Sequence, residues 1–472
     1  MKRYLVQTMG CQMNVHDSRR IEEVLAADGW RPTDEPALAD LVVFNTCSVR
    51  EKAEHKLMSA LGTVRGLKEA RRGVVIAVAG CVAQQEGERL LQKARFVDVV
   101  IGPDHVAELP ALVARARGGA APVARTVFDV HAPAFLDATP SPERLEVSAF
   151  VTVMKGCDER CTYCVVPYTR GPERYRPADA IVGEIRAMVE GGVREVTLLG
   201  QTVNSWIEPR PGATPADAPP RWSARLARTS EFAALLRRVA REVPDLARLR
   251  YTSPHPRHLT DALIEAHAEL DVLARHVHLP VQSGSNRVLR RMLRRYTREL
   301  YLERVARLRE AVPGLTLSTD IIVGFPGETD ADLDETLSLV REAGFVAAFA
   351  FKYSPRPNTP SRALADDVPE DVKSARLDAV FDAVGATQRA HLASLVGTTQ
   401  EVLVEGPSRT DPSRWTGRTR RNEIVHVEGA DLAGAILDVV IERANDHSLM
   451  GRIARTARPA APPAPHRLRV LA

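Results

Sequence analysis

Long hydrophobic runs are missing from this chain of 472 residues. None approaches the roughly 18 apolar residues of a membrane span, so no membrane partner is expected. Met1 to Cys11 holds two basic residues but no apolar stretch of signal-peptide length, so export is not expected either. A cytoplasmic protein is the expectation. An excess of one charge is also absent. Lys and Arg number 64 against 60 Asp and Glu, a net +4, so any nucleic-acid contact must rest on local basic patches. Cysteine is scarce, with six in the whole chain. A disulfide framework needs an oxidising compartment and usually a small chain, and neither applies. Six thiols in a reducing compartment are metal ligands, catalytic groups or inert core residues. With 44% hydrophobic residues the length provides for several domains, each with its own core.

The six cysteines divide into two trios. Cys11, Cys47 and Cys81 lie 36 and 34 residues apart, each just after a short apolar run: Tyr4-Leu5-Val6, Leu41 to Phe44, and Val74 to Ala79. Such runs read as buried parallel strands, and a helix-compatible stretch follows each cysteine. Three βα units in register would place the thiols at the carboxyl ends of the strands, where open α/β sheets bind ligands. Small buried core cysteines are the alternative. Cys157, Cys161 and Cys164 form a C-x3-C-x2-C loop after the apolar run Phe150 to Met154. Three soft thiolates on one loop can hold three irons of a cubane cluster and leave the fourth open. Structural zinc would want a fourth Cys or His at ligand spacing, and none is present.

Gly156 to Cys164 resembles the signature of radical S-adenosylmethionine enzymes. The continuation Val165-Val166-Pro167-Tyr168-Thr169-Arg170-Gly171-Pro172-Glu173-Arg174 is similar to the methylthiotransferase branch. So are the upstream segments Gly10 to Asn14, Asn45 to Arg50 and Gly80 to Gln84. The resemblance runs from about residue 3 to about residue 453. It implies two [4Fe-4S] clusters, one on Cys157, Cys161 and Cys164 and a second, auxiliary cluster on Cys11, Cys47 and Cys81. It also implies S-adenosyl-L-methionine as cofactor, with Tyr163 beside its adenine. Gln201, Asn204, Gln282 and Ser283 are expected cofactor or substrate contacts. Gly200-Gln201-Thr202-Val203-Asn204-Ser205-Trp206 departs from the family's usual Gly-Gln-Asn-Val-Asn-Ser-Tyr at Thr202 and Trp206.

The expected fold is α/β in three parts. Residues 1–120 form a flavodoxin- or Rossmann-like domain, followed by an Ala/Pro-rich linker from Gly118 to about Glu143. Six strand-like runs, Val147–Met154, Glu195–Leu199, Leu249–Thr252, His276–Leu279, Leu315–Val323 and Val346–Tyr353, alternate with helical stretches across 143–375. The resemblance selects a partial (β/α)6 barrel. Residues 378–453 read as short strands of a small OB-like barrel, which the resemblance implies is an RNA-binding TRAM domain. The tail 454–472 is expected to be disordered, and a Pro-rich insertion from Ile207 to about Ser223 carries no assigned chemistry.

Two basic patches stand out of the neutral total. Arg287 to Arg298 holds six arginines, among them Arg290, Arg291 and Arg294. Residues 409–421 hold Arg414, Arg418, Arg420 and Arg421 with Trp415 interleaved. Clustered guanidiniums suit phosphate, and an adjacent aromatic suits an unpaired base. A solvated helix face and a polar loop are the plainer readings. The segments quoted above, with His278 to Ser285, are most similar to the branch that adds a 2-methylthio group to N6-dimethylallyladenosine beside the tRNA anticodon. The implied partners are the anticodon stem-loop and an electron donor such as flavodoxin or ferredoxin, with the enzyme a monomer. Sister branches act on N6-threonylcarbamoyladenosine or a ribosomal-protein aspartate. An iron–sulfur electron carrier with an RNA-binding appendage is the alternative from another class.

Overall fold

The computed structural model describes residues 2–48, 51–71, 73–128, 135, 146–210 and 230–459. Most of the Pro-rich insertion and the tail from residue 460 therefore lie outside the described residues. Strands β1 (Arg3–Met9), β2 (Arg31–Pro32), β3 (Leu41–Thr46), β4 (Val75–Gly80), β5 (Val99–Ile101) and β6 (Val123–Arg125) form one parallel sheet in the order β2-β1-β3-β4-β5-β6. β3 and β4 are buried along their whole length, which explains their unbroken apolar sequences. Separate apolar layers pack on the two sheet faces, one around Ile21 and Leu112, the other around Leu57 and Leu90. The stretch read as a linker from Gly118 is in part a strand. β6 extends the sheet edge by pairing with β5, a contact that its Ala/Pro-rich surroundings concealed.

β7 (Ser148–Thr152) opens the barrel, and a short hairpin of β8 (Met154–Lys155) and β9 (Arg174–Tyr175) follows it. β10 (Glu195–Leu199) pairs in parallel with β7 and with β11 (Arg248–Tyr251). β12 (His276–His278), β13 (Thr316–Val323) and β14 (Ala347–Lys352) continue in parallel, and a Leu249–Leu273 bridge links the two halves. Six parallel strands in sequence order make a barrel that is open between β7 and β14. Its largest core lies between strands and helices, from Val151 and Ile185 to Leu317 and Leu339. The helix Glu370–Ser394 runs unbroken through residues 375–378, where one domain was expected to give way to the next.

β15 (Thr399–Pro407), β16 (Arg414–Thr419), β17 (Ile424–Glu428), β18 (Ile436–Ala444) and β19 (Leu449–Arg458) close a small barrel in the order β15-β16-β17-β19-β18. Two of these strands correct the sequence reading. β16 occupies part of the basic patch whose plainer reading was a loop, and β19 runs four residues past Ala454, where a disordered tail was expected to begin.

Candidate cluster sites

The register of the first sheet aligns Met9 with Thr46 and Thr46 with Gly80, so the turns carrying Cys11, Cys47 and Cys81 leave the sheet at one level. Strand order reverses between β1 and β3, the crevice where open α/β sheets take ligands. Gly10 has φ 141°, and a Cβ there would lie 2.3 Å from the Cys47 Cβ, so only glycine lets the first two turns approach this closely. Buried amides tie the turns together. Asn14 Nδ2 donates to Asn45 Oδ1 at 3.1 Å, and Asn45 Nδ2 donates to the Asn14 carbonyl at 2.8 Å. The Cys11 thiol is pulled down to about 6 by its hydrogen bond with Cys47, assisted by the Arg170 charge. Burial pushes Cys81 up.

The second trio lies on the loop between β8 and β9. Gly156 has φ 80°, and a Cβ there would meet the Pro172 carbonyl oxygen at 1.9 Å. Outside contacts hold the loop. Thr162 N donates to Met292 O at 3.0 Å, Thr162 Oγ1 to Arg291 O at 3.0 Å, and Ser361 N to Thr162 O at 2.9 Å. Cys157 Sγ lies 3.2 Å from Thr202 Oγ1, and Arg294 Nη1 donates to Cys161 Sγ at 3.4 Å. Burial raises Cys157 and takes Cys164 up to about 12, with the neighbouring thiols adding to each shift. Ligation by a cation is what would draw the protons from such thiols.

One segment touches both trios. In Thr169-Arg170-Gly171-Pro172-Glu173, the Arg170 Nε donates to Cys81 Sγ at 3.3 Å. The next carbonyl, Gly171 O, accepts from Cys157 N at 3.1 Å. The sequence marked this run by resemblance but gave it no task. A buried ionic seam surrounds it. Arg170 pairs with Asp17 at 2.6 Å, Arg174 with Asp104 at 2.5 Å, and Glu184 with both Arg20 and Arg176. Burial raises Asp17, but Arg170 first, then His16 and Lys155, outweigh it and hold the carboxyl below its usual range.

The expected cofactor contacts separate. Gln201 fits a ligand site, because both ends of its amide are buried without a hydrogen bond. Tyr163 packs beside Met292, Phe325 and Tyr353. Gln282 is buried at φ 70° on the barrel mouth. Asn204 and Ser283 are engaged with neighbouring groups of the protein. Asn204 gives and takes hydrogen bonds with the His255 backbone at 3.0 and 2.8 Å. Ser283 Oγ faces Thr336 and accepts from Ser285 N, buried against the helix Asp330–Ala343. Thr202, whose departure from the family pattern left it without a role, touches Cys157.

The run Thr252 to Pro256 after a predicted strand is one of the segments similar to the family, but sequence reasoning did not group its His255 with Glu159 and His258, whose ligand atoms lie within 4.8 Å of one another. His255 Nε2 and Glu159 Oε2 are buried and unpartnered. Burial drives His255 well below its usual value, and Arg294, Arg257 and Arg295 add to the shift. Against the effect of burial, His258 and Arg257 hold the Glu159 carboxyl below its usual range, so positive and negative groups meet here. The Ser-Pro-His-Pro turn after β11 was the one available signal.

The arginine patches divide between inward-held and exposed side chains. Arg294 is buried against Cys161, Tyr296 and the Pro280 carbonyl, so it is no RNA contact. Arg418 pairs with Glu405, Arg420 with Asp271, and Arg421 with Glu423 and Gln400. Their turn is docked on the large barrel, where its backbone carbonyls accept from Arg248 and from Arg275 N. Arg290 and Arg291 are exposed, and Arg414 and Trp415 half-buried. Among the described residues, no helix is long and apolar enough to cross a membrane.

Known proteins match along the whole chain. Residues 3–102 match the uncharacterized protein family UPF0004, residues 151–340 the Radical SAM superfamily, and residues 393–454 the TRAM domain. The radical S-adenosylmethionine methyltransferase TsrM from Kitasatospora setae, solved with cobalamin and a [4Fe-4S] cluster, shares the fold with a TM-score of 0.53 at 15% identity, over 76% of this chain and 74% of its own. The tRNA-2-methylthio-N(6)-dimethylallyladenosine synthase of Sorangium cellulosum is 59% identical, over 98% of this chain and 95% of its own. The proteins of that name from Acidithiobacillus ferrooxidans and Bordetella petrii are 47% and 45% identical, over 97% and 96% of this chain and 98% and 92% of theirs. Relatives this similar over nearly the full length, with the same three parts in order, place the chain in the tRNA-2-methylthio-N(6)-dimethylallyladenosine synthase family of radical SAM methylthiotransferases.

Proposed function

We propose that this enzyme methylthiolates C2 of N6-dimethylallyladenosine beside the anticodon of tRNA, with S-adenosyl-L-methionine and two [4Fe-4S] clusters. Cys157, Cys161 and Cys164 hold the cluster that works with S-adenosyl-L-methionine, and Cys11, Cys47 and Cys81 hold the second. The donor set supports this division, with three converging thiols at each place and no seventh cysteine in the chain. When bound, the reduced cluster and its cofactor supply hydrogen-atom abstraction from a purine C–H bond too strong for acid–base chemistry. The protein's part is to hold and orient. Gln201 offers both ends of an unpaired amide to the cofactor, Tyr163 offers a ring beside it, and Gln282 closes the mouth. The buried, unpartnered Nε2 of His255 is a further polar group for cofactor or substrate. Arg290, Arg291, Arg414 and Trp415 are the RNA contacts that remain. Flavodoxin or ferredoxin supplies electrons to the monomer in the cytoplasm.

The observation that carries this reading is the segment Thr169–Glu173, in contact with both trios. Inserting sulfur at an unactivated carbon needs a radical source and a sulfur source within reach of one substrate atom. The test uses anaerobically reconstituted enzyme with dithionite, S-adenosyl-L-methionine and tRNA with or without the dimethylallyl group, followed by nucleoside mass spectrometry. Methylthiolation only of the dimethylallyl tRNA is expected. Equal modification of both, or none, would overturn the assignment. Absence of 5′-deoxyadenosine would return the chain to an electron carrier.

A further inference from the structure

The inner wall of the large barrel is polar at its foot, where His276 bonds Thr316 and Arg250 bonds Glu195. Nearer the mouth it turns apolar. Residues that face each other across β12, β13 and β14 share a side: His278 with Ser318, Asp320 with Phe349, and Ile322 with Phe351. Leu317, Ile321, Val323 and Ala350 lie on the other side, in the core between strands and helices, so the first set faces the barrel interior. His278 lies 3.0 Å from Ser318 Oγ and 3.4 Å from Asp320 Oδ1, and the Phe349 ring meets it edge to face at 5.8 Å. Phe349 is nevertheless 54% exposed and Phe351 40%. Among the described residues, no other barrel strand carries a large apolar side chain so open to water. Ile322, level with Phe351, packs on the same group around Phe325 as Tyr163, so the open rings adjoin the cofactor side of the mouth.

We propose that Phe349 and Phe351 receive the dimethylallyl group of the substrate and set the enzyme's preference for it. This rests on the reading of dimethylallyl tRNA as substrate. The reacting C2 and the carbon bearing N6 belong to the same purine ring, so a base with C2 turned to the cofactor keeps its tail close to the mouth. The tail is a branched hydrocarbon with nothing to hydrogen-bond. Two phenyl rings match it, and they offer nothing that the polar edge of a base could bond. Covering them with the tail removes apolar surface from water on both partners. A threonylcarbamoyl tail would instead bring a carboxylate against the rings and beside the Asp320 carboxylate, which disfavours it. Loss of one ring from such a wall corresponds to about a tenfold change in affinity.

The test uses the full chain with its clusters, reconstituted anaerobically, and anticodon stem-loop RNA carrying N6-dimethylallyladenosine or plain adenosine. Affinity is read by fluorescence anisotropy and product by nucleoside mass spectrometry. The parent is expected to bind the dimethylallyl RNA more tightly. Phe349→Ala and Phe351→Ala are each expected to weaken that RNA about tenfold, toward the affinity of plain RNA, which itself stays unchanged. Both positions are exposed, so both variants should melt with the parent. If one melts early, Phe→Leu at that position carries the test, with a smaller loss of the same kind. Variants that keep the parent's ratio of affinities overturn the proposal. Equal weakening of both RNAs overturns it too, since the rings would then serve the base or the backbone. A parent without any preference overturns it as well. A parent whose preference is lost in the alanine variants, yet which methylthiolates neither RNA, upholds the apolar wall and refutes the assigned reaction.

Discussion

At Gly10 a single methyl group decides whether the first site forms. A Cβ there would overlap Cys47 Cβ, and backbone lies close behind it, so relief must come from moving a turn. Gly10→Ala is therefore expected to load about four irons rather than about eight, while still forming 5′-deoxyadenosine. Cys81→Ala should behave alike: cofactor cleavage persists and methylthiolation stops. Iron analysis and nucleoside mass spectrometry check both, and retained sulfur insertion in either would refute the division between the trios. His267 makes a different demand. It is buried against the Tyr251 hydroxyl at 2.6 Å, and burial lowers it to about 4. Its folded form refuses a proton that the unfolded chain accepts near pH 6.5. The unfolded state thus binds more protons between pH 6.5 and 4, and stability falls as pH falls through that window. The full effect is on the order of 3 kcal/mol. Denaturant unfolding of His267→Gln across this range is expected to give a shallower pH slope than the parent chain, and equal slopes would remove His267 as a cause.

Elements meet through loops at the barrel mouth, and Asn204 is the clearest joint. Its amide clamps the turn after β10 to the turn after β11 through both hydrogen-bonding groups of His255. Asn204→Ala leaves a buried N–H and carbonyl unpaired, at a cost of about 2 kcal/mol, and frees His255 to shift. Thermal unfolding should register the loss, and the KM for S-adenosyl-L-methionine should rise more than kcat falls if His255 faces the cofactor. The sequence made such strands legible because each carries its own burial. Leu41 to Phe44 and Val74 to Ala79 are apolar since both sheet faces are covered. β16 was not legible because Gly417 and Thr419 fill its inward places with small groups, so no apolar alternation marks it. β19 carries arginines on its open face, and its last residues pair with β18 across irregular register. The helix Gln12–Ala27 shows the same limit: its polar sequence gives no sign that His16, Asp17 and Arg20 are buried, yet the barrel covers them with Thr152, Arg170 and Glu184. The cysteine trios were visible because ligand type and spacing are local properties. The arginines facing them belong to segments 89 and 133 residues away, which no local pattern connects.

Over the whole molecule, the small barrel is fixed to the large one at the amino ends of its strands, away from the mouth. Arg248, 2% exposed at the start of β11, donates to the carbonyls of Arg418 and Thr419 at 3.0 Å and to Glu401 at 3.1 Å. Arg250 donates to Thr419 O at 3.2 Å, Thr316 Oγ1 donates to Arg421 O at 2.9 Å, and Arg420 pairs with Asp271. The turn between β16 and β17 is thus a plug, and its basic residues hold the TRAM barrel in one orientation. On the proposed function, that orientation would decide whether Arg414 and Trp415 can touch the tRNA whose base is modified. Removing Arg248 strands several buried acceptors, although Arg250 still neutralises Glu195 at 2.9 Å. The expected cost of Arg248→Ala is about 3 kcal/mol. The two cysteine trios lie far from this contact along the fold, so iron content and 5′-deoxyadenosine formation without tRNA should not change. Methylthiolation should suffer through a raised KM for tRNA, and hydrogen exchange should quicken first at residues 418–421 and 248–251. If the variant melts with the parent and keeps its tRNA KM, the plug does not orient the TRAM barrel. In that case the helix Glu370–Ser394, which packs on both β14 and β18, must set its position instead.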